Sequence, residues 1–160
     1  MRRMNRPNLR AALVCGLALF AGIAHGASIT DCTVSVSGVV FGTYTPLAAT
    51  ALLSNGSVNI ACTGIKGRNG VTIDLSPGSS GAYMPTRILT SGALRLNYNL
   101  YVDAGYSQVW GNGSGGSVEG SVSIRKQSPN ATLTIYGAAA ALQDPAPGVY
   151  SDSVTVSVNY

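Results

Sequence analysis

Residues 148–160 read Gly-Val-Tyr-Ser-Asp-Ser-Val-Thr-Val-Ser-Val-Asn-Tyr, and this stretch decides the class of fold. Val154, Val156 and Val158 occupy every second position, with Ser and Thr between them. Because successive side chains of an extended chain point to opposite faces, this alternation predicts a β-strand with one buried face. Such a strand needs a partner strand, which this chain or another one must supply.

Six further stretches have the same character and are separated by clusters of Gly, Ser, Asn and Pro. The apolar positions that define them are Cys32, Val34 and Val36; Val58, Ile60 and Cys62; Val71, Ile73 and Leu75; every second residue of 94–102; Val118, Val122 and Ile124; Leu133 and Ile135. Residues 43–57 are expected to form a long linker, and residues 138–142 a turn of helix at most. Seven short strands without a crossover helix predict an all-β, antiparallel β-sandwich.

The N-terminal residues have the pattern of a secretory signal. Four arginines precede an apolar stretch at residues 11–24, and small residues around Gly26 suit cleavage there. The apolar stretch is too short for a membrane span, which needs about 20 residues. Lipidation at Cys15 is the alternative, although Val14 is large for the position before a lipidated cysteine. We therefore expect a signal peptide at 1–26 and one domain at 27–160, exported to the periplasm and cell surface or secreted.

Removal of residues 1–26 would change the charge of the protein. Four of the ten basic residues lie in that segment and all six acidic residues lie beyond it, so residues 27–160 have no net charge although the full chain carries +4. Nucleic-acid binding loses its main support, because it requires clustered Lys and Arg. His25 is the sole histidine and would leave with the signal, which excludes histidine-based catalysis and His-metal sites. We predict no enzyme activity, cofactor or metal; a hydrolase built on two distant carboxylates stays open as an alternative.

Two cysteines remain after cleavage, Cys32 and Cys62. An even pair in an exported chain predicts a disulfide, and both residues are in register with the apolar face of their strands. The bond would therefore join two strands inside the core. Two free buried thiols are the competing interpretation.

The sole tryptophan, Trp110, lies next to the Gly-rich segment 111–116. An aromatic ring beside a flexible loop can stack on a sugar, so Trp110 and the nearby Tyr101 are candidate ligand contacts. The alternative is that Trp110 anchors its loop onto the sheet. Tyr98 and Tyr101 are predicted to point to opposite faces of their strand, so at least one of them should pack in the core.

Several motifs, in order over residues 32–160, together resemble one family. They are Cys32-Thr-Val with Val40-Phe-Gly-Thr-Tyr-Thr-Pro-Leu47; Val58-x-Ile-x-Cys62; Arg87-Ile-Leu with Leu96-Asn-Tyr-Asn-Leu-Tyr-Val-Asp103; Trp110-Gly-Asn-Gly113; and Ile135-Tyr-Gly137 followed by Gln143 and Gly148-x-Tyr-Ser-Asp152. This pattern resembles spore coat protein U domains, a family that includes subunits of archaic, Csu-type chaperone–usher pili.

The resemblance implies an immunoglobulin-like sandwich that lacks its last strand, with a structural role in a fimbrium, in adhesion and in biofilm formation. It also implies three kinds of partner: a periplasmic chaperone that lends a strand, an outer-membrane usher, and neighbouring pilin subunits that replace the chaperone's strand. Only residues 27–31 would precede Cys32, with Ile29 as the one large apolar side chain. We therefore expect a subunit that accepts a strand but donates poorly, as a tip subunit would. A free secreted β-sandwich that binds a carbohydrate or surface ligand is the alternative function.

Overall fold

The computed structural model describes residues 29–160, and within them it has eight β-strands and one short 3-10 helix. The predicted signal peptide lies outside the described residues. The strands are β1 (Asp31–Ser37), β2 (Leu52–Thr63), β3 (Arg68–Leu75), β4 (Arg87–Ser91), β5 (Leu94–Tyr101), β6 (Gly120–Arg125), β7 (Asn130–Ala139) and β8 (Val156–Asn159), and the 3-10 helix is Gly78–Ser80.

The strands form two antiparallel sheets of unequal width. One sheet has five strands in the order β1-β2-β7-β5-β4, and the other has three in the order β6-β3-β8. The predicted all-β, two-sheet architecture is therefore confirmed. Because one sheet is two strands narrower, part of the inner face of the wide sheet has no strand opposite it.

The core contains the inward-facing residues of both sheets. Its buried members are Val58, Ile60, Cys62, Val71, Ile73, Leu75, Tyr98, Leu100, Trp110, Ile124, Ile135 and Ala139. Trp110 bonds to both sheets: its backbone N–H donates to Leu100 O (2.8 Å) and its indole Nε1–H to Ile73 O (2.8 Å). Gly120 lies directly against this indole ring, and a Cβ at that position would overlap it. The close approach that a glycine inside a strand suggests is thus present.

Three details differ from the sequence expectations. Strand β2 begins at Leu52, inside the expected linker, because it pairs with β7 from Leu52 to Ala61. Ala138 and Ala139 continue β7 and do not form a helical turn, since β2 and β5 hold them from both sides. Strand β4 was not predicted, because its buried first residue, Arg87, interrupts the apolar pattern.

Candidate functional site

The inner face of β1 is left uncovered. Val36 is 49% exposed and Val34 is 41% exposed, whereas their cross-strand partners Val58 and Ile60 are 0% and 1% exposed. Paired residues in a sheet share a face. The exposure of the inner-face side chains therefore changes from nearly half to negligible across one strand spacing, because the three-stranded sheet does not extend over β1.

Strand β8 borders the same gap from the other sheet. It pairs with β3 alone within the described residues, so the backbone groups along its second side face the gap. Val154, Val156 and Val158 pack partly against the core. The last strand is thus an edge strand, and it begins at Val156, two residues later than its alternation suggests.

The gap is a continuous groove between residues 36–46 and residues 145–156. Its inner part is a cavity of about 310 Å³, with Leu75, Leu89, Tyr98, Leu100 and Ile135 among its lining residues. Its outer part is wider, about 730 Å³, and adds Leu96, Ala139 and the Pro-rich segment 145–147. Both parts share Val39, Phe41, Leu89 and Asp152, so an extended polypeptide would have one uninterrupted path.

The wide end of the groove is bordered by two irregular segments that bond to each other. Leu47 N–H donates to Gln143 O (2.8 Å) and Leu142 N–H donates to Ala48 O (2.9 Å). The Gln143 side chain also clamps Asn97, with Nε2 donating to Asn97 O (2.9 Å) and Oε1 accepting from Asn97 N–H (2.7 Å). Leu47 and Leu142 both have a φ of 58°, a left-handed conformation that is rare for a bulky residue. They are 62% and 67% exposed.

One carboxylate, that of Asp152, lies in the groove wall. It accepts hydrogen bonds from Tyr98 Oη–H (2.7 Å), from Ser79 N–H and Oγ–H (2.8 and 2.6 Å), and from Ser153 N–H (2.8 Å). Burial alone would raise the pKa of Asp152, but the hydrogen bonds of Ser79, Tyr98 and Ser153 outweigh it and hold the pKa below its usual value. Burial, reinforced by Asp152, raises the pKa of Tyr98. Asp152 thus fixes the chain just before β8 to the 3-10 segment.

Next to Asp152, Arg87 is completely buried with its guanidinium bonded to neutral acceptors. It donates to Ser76 O (3.1 and 3.0 Å), Trp110 O (2.6 Å) and Asn99 Oδ1 (2.7 Å), and it lies 5.1 Å from the centre of the Tyr83 ring. Burial lowers the pKa of Arg87. Nothing in the sequence suggests this network, because its members are up to 34 residues apart.

The disulfide prediction is confirmed. Cys32 and Cys62 are directly opposite each other on β1 and β2, with their Cα atoms 4.1 Å apart and their sulfurs bonded. The bond therefore attaches β1, one border of the groove, to the core.

The two candidate ligand contacts lie away from the groove. The suggestion that Trp110 contacts a ligand is corrected by its position: it is 0% exposed, so no surface of the ring is accessible, and it anchors its segment as the alternative proposed. Tyr101 is half-buried at the end of β5 and packs edge-on against Tyr106, which packs against Tyr136 in the same manner. As a ligand contact, Tyr101 stays a prediction.

Across residues 29–160, no helix is long and apolar enough to cross a membrane. The same part of the chain has no group of three or more His, Cys, Asp or Glu side chains that could hold a metal ion.

Comparison with known proteins gives a family match and similarities to solved structures. The family model of the Spore Coat Protein U domain matches residues 22–157. A chain in the crystal structure of the CsuC–CsuE chaperone–tip adhesion subunit pre-assembly complex, from archaic chaperone–usher Csu pili of Acinetobacter baumannii, is similar with 22% identity and a TM-score of 0.55. That similarity covers 81% of this chain and 39% of the other, so this chain spans well under half of its structural relative.

The second structure is described as a chaperone–tip adhesin complex that is vital for activation of CFA/I fimbriae biogenesis. It is 12% identical with a TM-score of 0.43, over 78% of this chain and 40% of that one. No curated protein is significantly similar in sequence.

Proposed function

This chain belongs to the Spore Coat Protein U domain family, and we propose that it is a structural subunit of a surface pilus assembled through a chaperone–usher pathway. The observation that carries the proposal is the groove between β1 and β8. At the narrow end of the groove, Val36 of β1 and Val156 of β8 place a sheet edge on each border, and the floor between them is apolar. An unprotected edge over apolar side chains favours aggregation, so a stable subunit needs an added strand.

The physical basis of the proposal is strand addition. The inserted strand would form backbone hydrogen bonds with a free edge, and its alternate apolar side chains would occupy the groove. Each fully buried Val- or Leu-sized side chain contributes about 1.5–3 kcal/mol, so a few such residues give substantial affinity even after the cost of ordering the strand. In the proposed pathway a periplasmic chaperone supplies this strand first, and a neighbouring subunit replaces it when an outer-membrane usher assembles the fibre.

We propose a structural role without catalysis. The groove is lined mainly by aliphatic and aromatic side chains, and its carboxylate, Asp152, already accepts four hydrogen bonds. A carboxylate held in this way is suited to fixing the wall of the groove.

The proposed route of the protein follows from the sequence. Residues 1–26 would direct export and be removed, and residues 27–160 would fold in the periplasm, where the disulfide can form. The finished subunit would reach the cell surface within a fimbrium.

We also propose a terminal, adhesive position in the fibre. Ile29 packs against the core of its own domain, and Thr30 N–H donates to Thr63 O (3.1 Å), which continues the pairing of β1 with β2. Residues 29 and 30 are therefore used within their own domain and are not available to a neighbour. Attachment of a synthetic 12-residue extension of alternating Val and Thr before residue 27 should convert the purified protein from a non-polymerising subunit into one that forms fibres. Ordered fibres formed by the unextended protein would contradict the terminal position.

The groove itself can be tested with the same 12-residue segment as a free peptide. It should bind residues 27–160 and raise the Tm, whereas a peptide of equal composition with its Val residues grouped should bind more weakly. Val36→Lys should abolish binding by placing a charge in the groove.

Leu53→Lys is the matched control, because Leu53 is 51% exposed against 49% for Val36 but lies on the outer face of β2. A protein that stays monomeric, ignores the peptide and responds equally to both substitutions would contradict strand acceptance. In cells that produce the protein, a chaperone-like protein should copurify with the wild type and not with Val36→Lys.

A further inference from the structure

Four basic side chains meet at one end of the molecule, although in sequence they form two pairs that are far apart. We call this group the basic pole: Lys66, Arg68, Arg125 and Lys126. Strand β3 begins at Arg68 and β6 ends at Arg125, and these two residues are directly opposite each other in the sheet. Lys66 and Lys126 line a shallow cleft of about 370 Å³ beside them.

Within residues 29–160, the hydrogen bonds that the side chains of the basic pole make do not compensate their charges. All four residues are exposed. Arg68 donates from Nε and Nη2 to the neutral hydroxyl of Ser123 (3.3 and 3.1 Å). Like charges directly opposite each other on neighbouring strands are unfavourable, so the pairing of Arg68 with Arg125 lowers stability. One carboxylate also lies at this end of the molecule, since Asp31 is opposite Thr63, a residue that lines the cleft.

The acidic residues of the same two strands lie at their other ends. Asp74 is near the end of β3, and Glu119 immediately precedes β6. At about 3.3 Å per residue, roughly 20 Å separates Arg68 from Asp74. A domain with no net charge over residues 27–160 thus has an excess of positive charge at one end, where four cations outnumber Asp31, and this excess would attract a polyanion over distances of about a Debye length.

We infer that the basic pole is a docking site for an anionic polysaccharide. The cleft between the lysines is lined by Cys62, Thr63, Gly64, Ile65 and Pro129, so it lacks the aromatic rings on which single-stranded nucleic acids stack. Four cations at the adjoining ends of two neighbouring strands suit a linear chain with repeated sulfate, phosphate or carboxylate groups. This surface is separate from the groove and adds an attachment function to the proposed structural one.

Heparin is a suitable probe for the basic pole. The protein sample consists of residues 27–160 with the Cys32–Cys62 disulfide formed. Wild-type protein should bind heparin at 50 mM salt and lose about 100-fold in affinity at 200 mM, if four charge contacts release counterions as they do on DNA. Arg68→Gln combined with Lys126→Gln should weaken binding at least tenfold without lowering the Tm, since it removes one charge of the unfavourable Arg68–Arg125 pair. Arg68→Lys should retain heparin binding.

Arg95→Gln is the matched control, because Arg95 is an exposed cation on β5, outside the basic pole. It should leave heparin binding unchanged. Equal loss in Arg95→Gln and the double variant would show that net charge alone is responsible, and absent binding by the wild type would overturn the inference outright. Tighter binding of duplex DNA than of heparin would overturn the choice of a polysaccharide. Val36→Lys should bind heparin normally, so failure here is distinguishable from failure of strand acceptance.

Discussion

Val36 and Val58 form a matched pair that tests whether the gap over β1 is a binding groove. They are directly opposite on β1 and β2 and share the inner face, but Val36 is 49% exposed and Val58 is 0% exposed. Val→Ala removes two methyl groups from either position, worth about 1.6 kcal/mol of transfer free energy at about 0.8 kcal/mol per group. Val58→Ala also leaves a cavity, so its total cost should be about 2–3 kcal/mol.

For Val36→Ala in the free protein we expect about half of the transfer value, about 0.8 kcal/mol, because only half of the side chain is covered. A strand in the groove would cover the rest. Val36→Ala should then weaken binding of the 12-residue Val/Thr peptide by about 0.8 kcal/mol, or roughly fourfold in Kd. Urea unfolding of each free variant gives the first value, provided the m-value is unchanged, and titration with the peptide gives the second.

The two measurements separate the groove from an ordinary exposed edge. If Val36→Ala destabilised the free protein as much as Val58→Ala, the side chain would already be covered in solution and the gap would be closed. If it left peptide affinity unchanged, β1 would not contact the inserted strand. Either result would refute the reasoning.

Three further predictions concern stability. Replacing Cys32 and Cys62 together by Ser should lower the free energy of unfolding by about 3.6 kcal/mol on the chain-entropy relation. It should also weaken peptide binding, because β1 is then held in place by its pairing with β2 alone. Unchanged peptide affinity in the folded variant would show that the disulfide does not position the groove. Asp152 has a lowered pKa, so its contribution to the free energy of unfolding is present above pH 4 and is lost as the pH falls through the folded-state pKa. The urea midpoints of the wild type and Asp152→Asn should therefore differ above pH 4 and converge below it. A difference that grows in acid would contradict this prediction. Leu142→Asn should raise the free energy of unfolding by up to about 1 kcal/mol, because Asn tolerates a left-handed backbone better than Leu. Calorimetry measures the effect, and a lower Tm would show that the exposed leucine makes a stabilising contact.

Much of the fold could be predicted because period-two patterns report directly on which face is buried. The alternation in β2, β3 and β5 matches their buried residues, and the shared face of Cys32 and Cys62 correctly indicated the disulfide. Strand β4 was missed for a physical reason. Its first residue is a buried arginine, and burial of a cation depends on carbonyl and amide groups from three other segments, which no local pattern contains.

The groove could be anticipated only through the family resemblance. Val34 and Val36 look like core residues in the sequence, because their alternation is as regular as that of Val58 and Ile60. Their exposure follows from the number of strands in the opposite sheet, which is a property of the topology. The basic pole was hidden for a similar reason, since pairing of β3 with β6 is what brings its two halves together.

The buried guanidinium of Arg87 has a consequence for how the groove meets its occupant. It donates hydrogen bonds to Ser76, Asn99 and Trp110, and Asp152 connects the final segment to Ser79 by accepting a hydrogen bond from it. These hydrogen bonds hold the two sheets at a fixed spacing whether or not an inserted strand is present. The inner part of the groove is therefore preorganised, and an arriving polypeptide has little of the host to rearrange. Most of the ordering cost of association should fall on the guest.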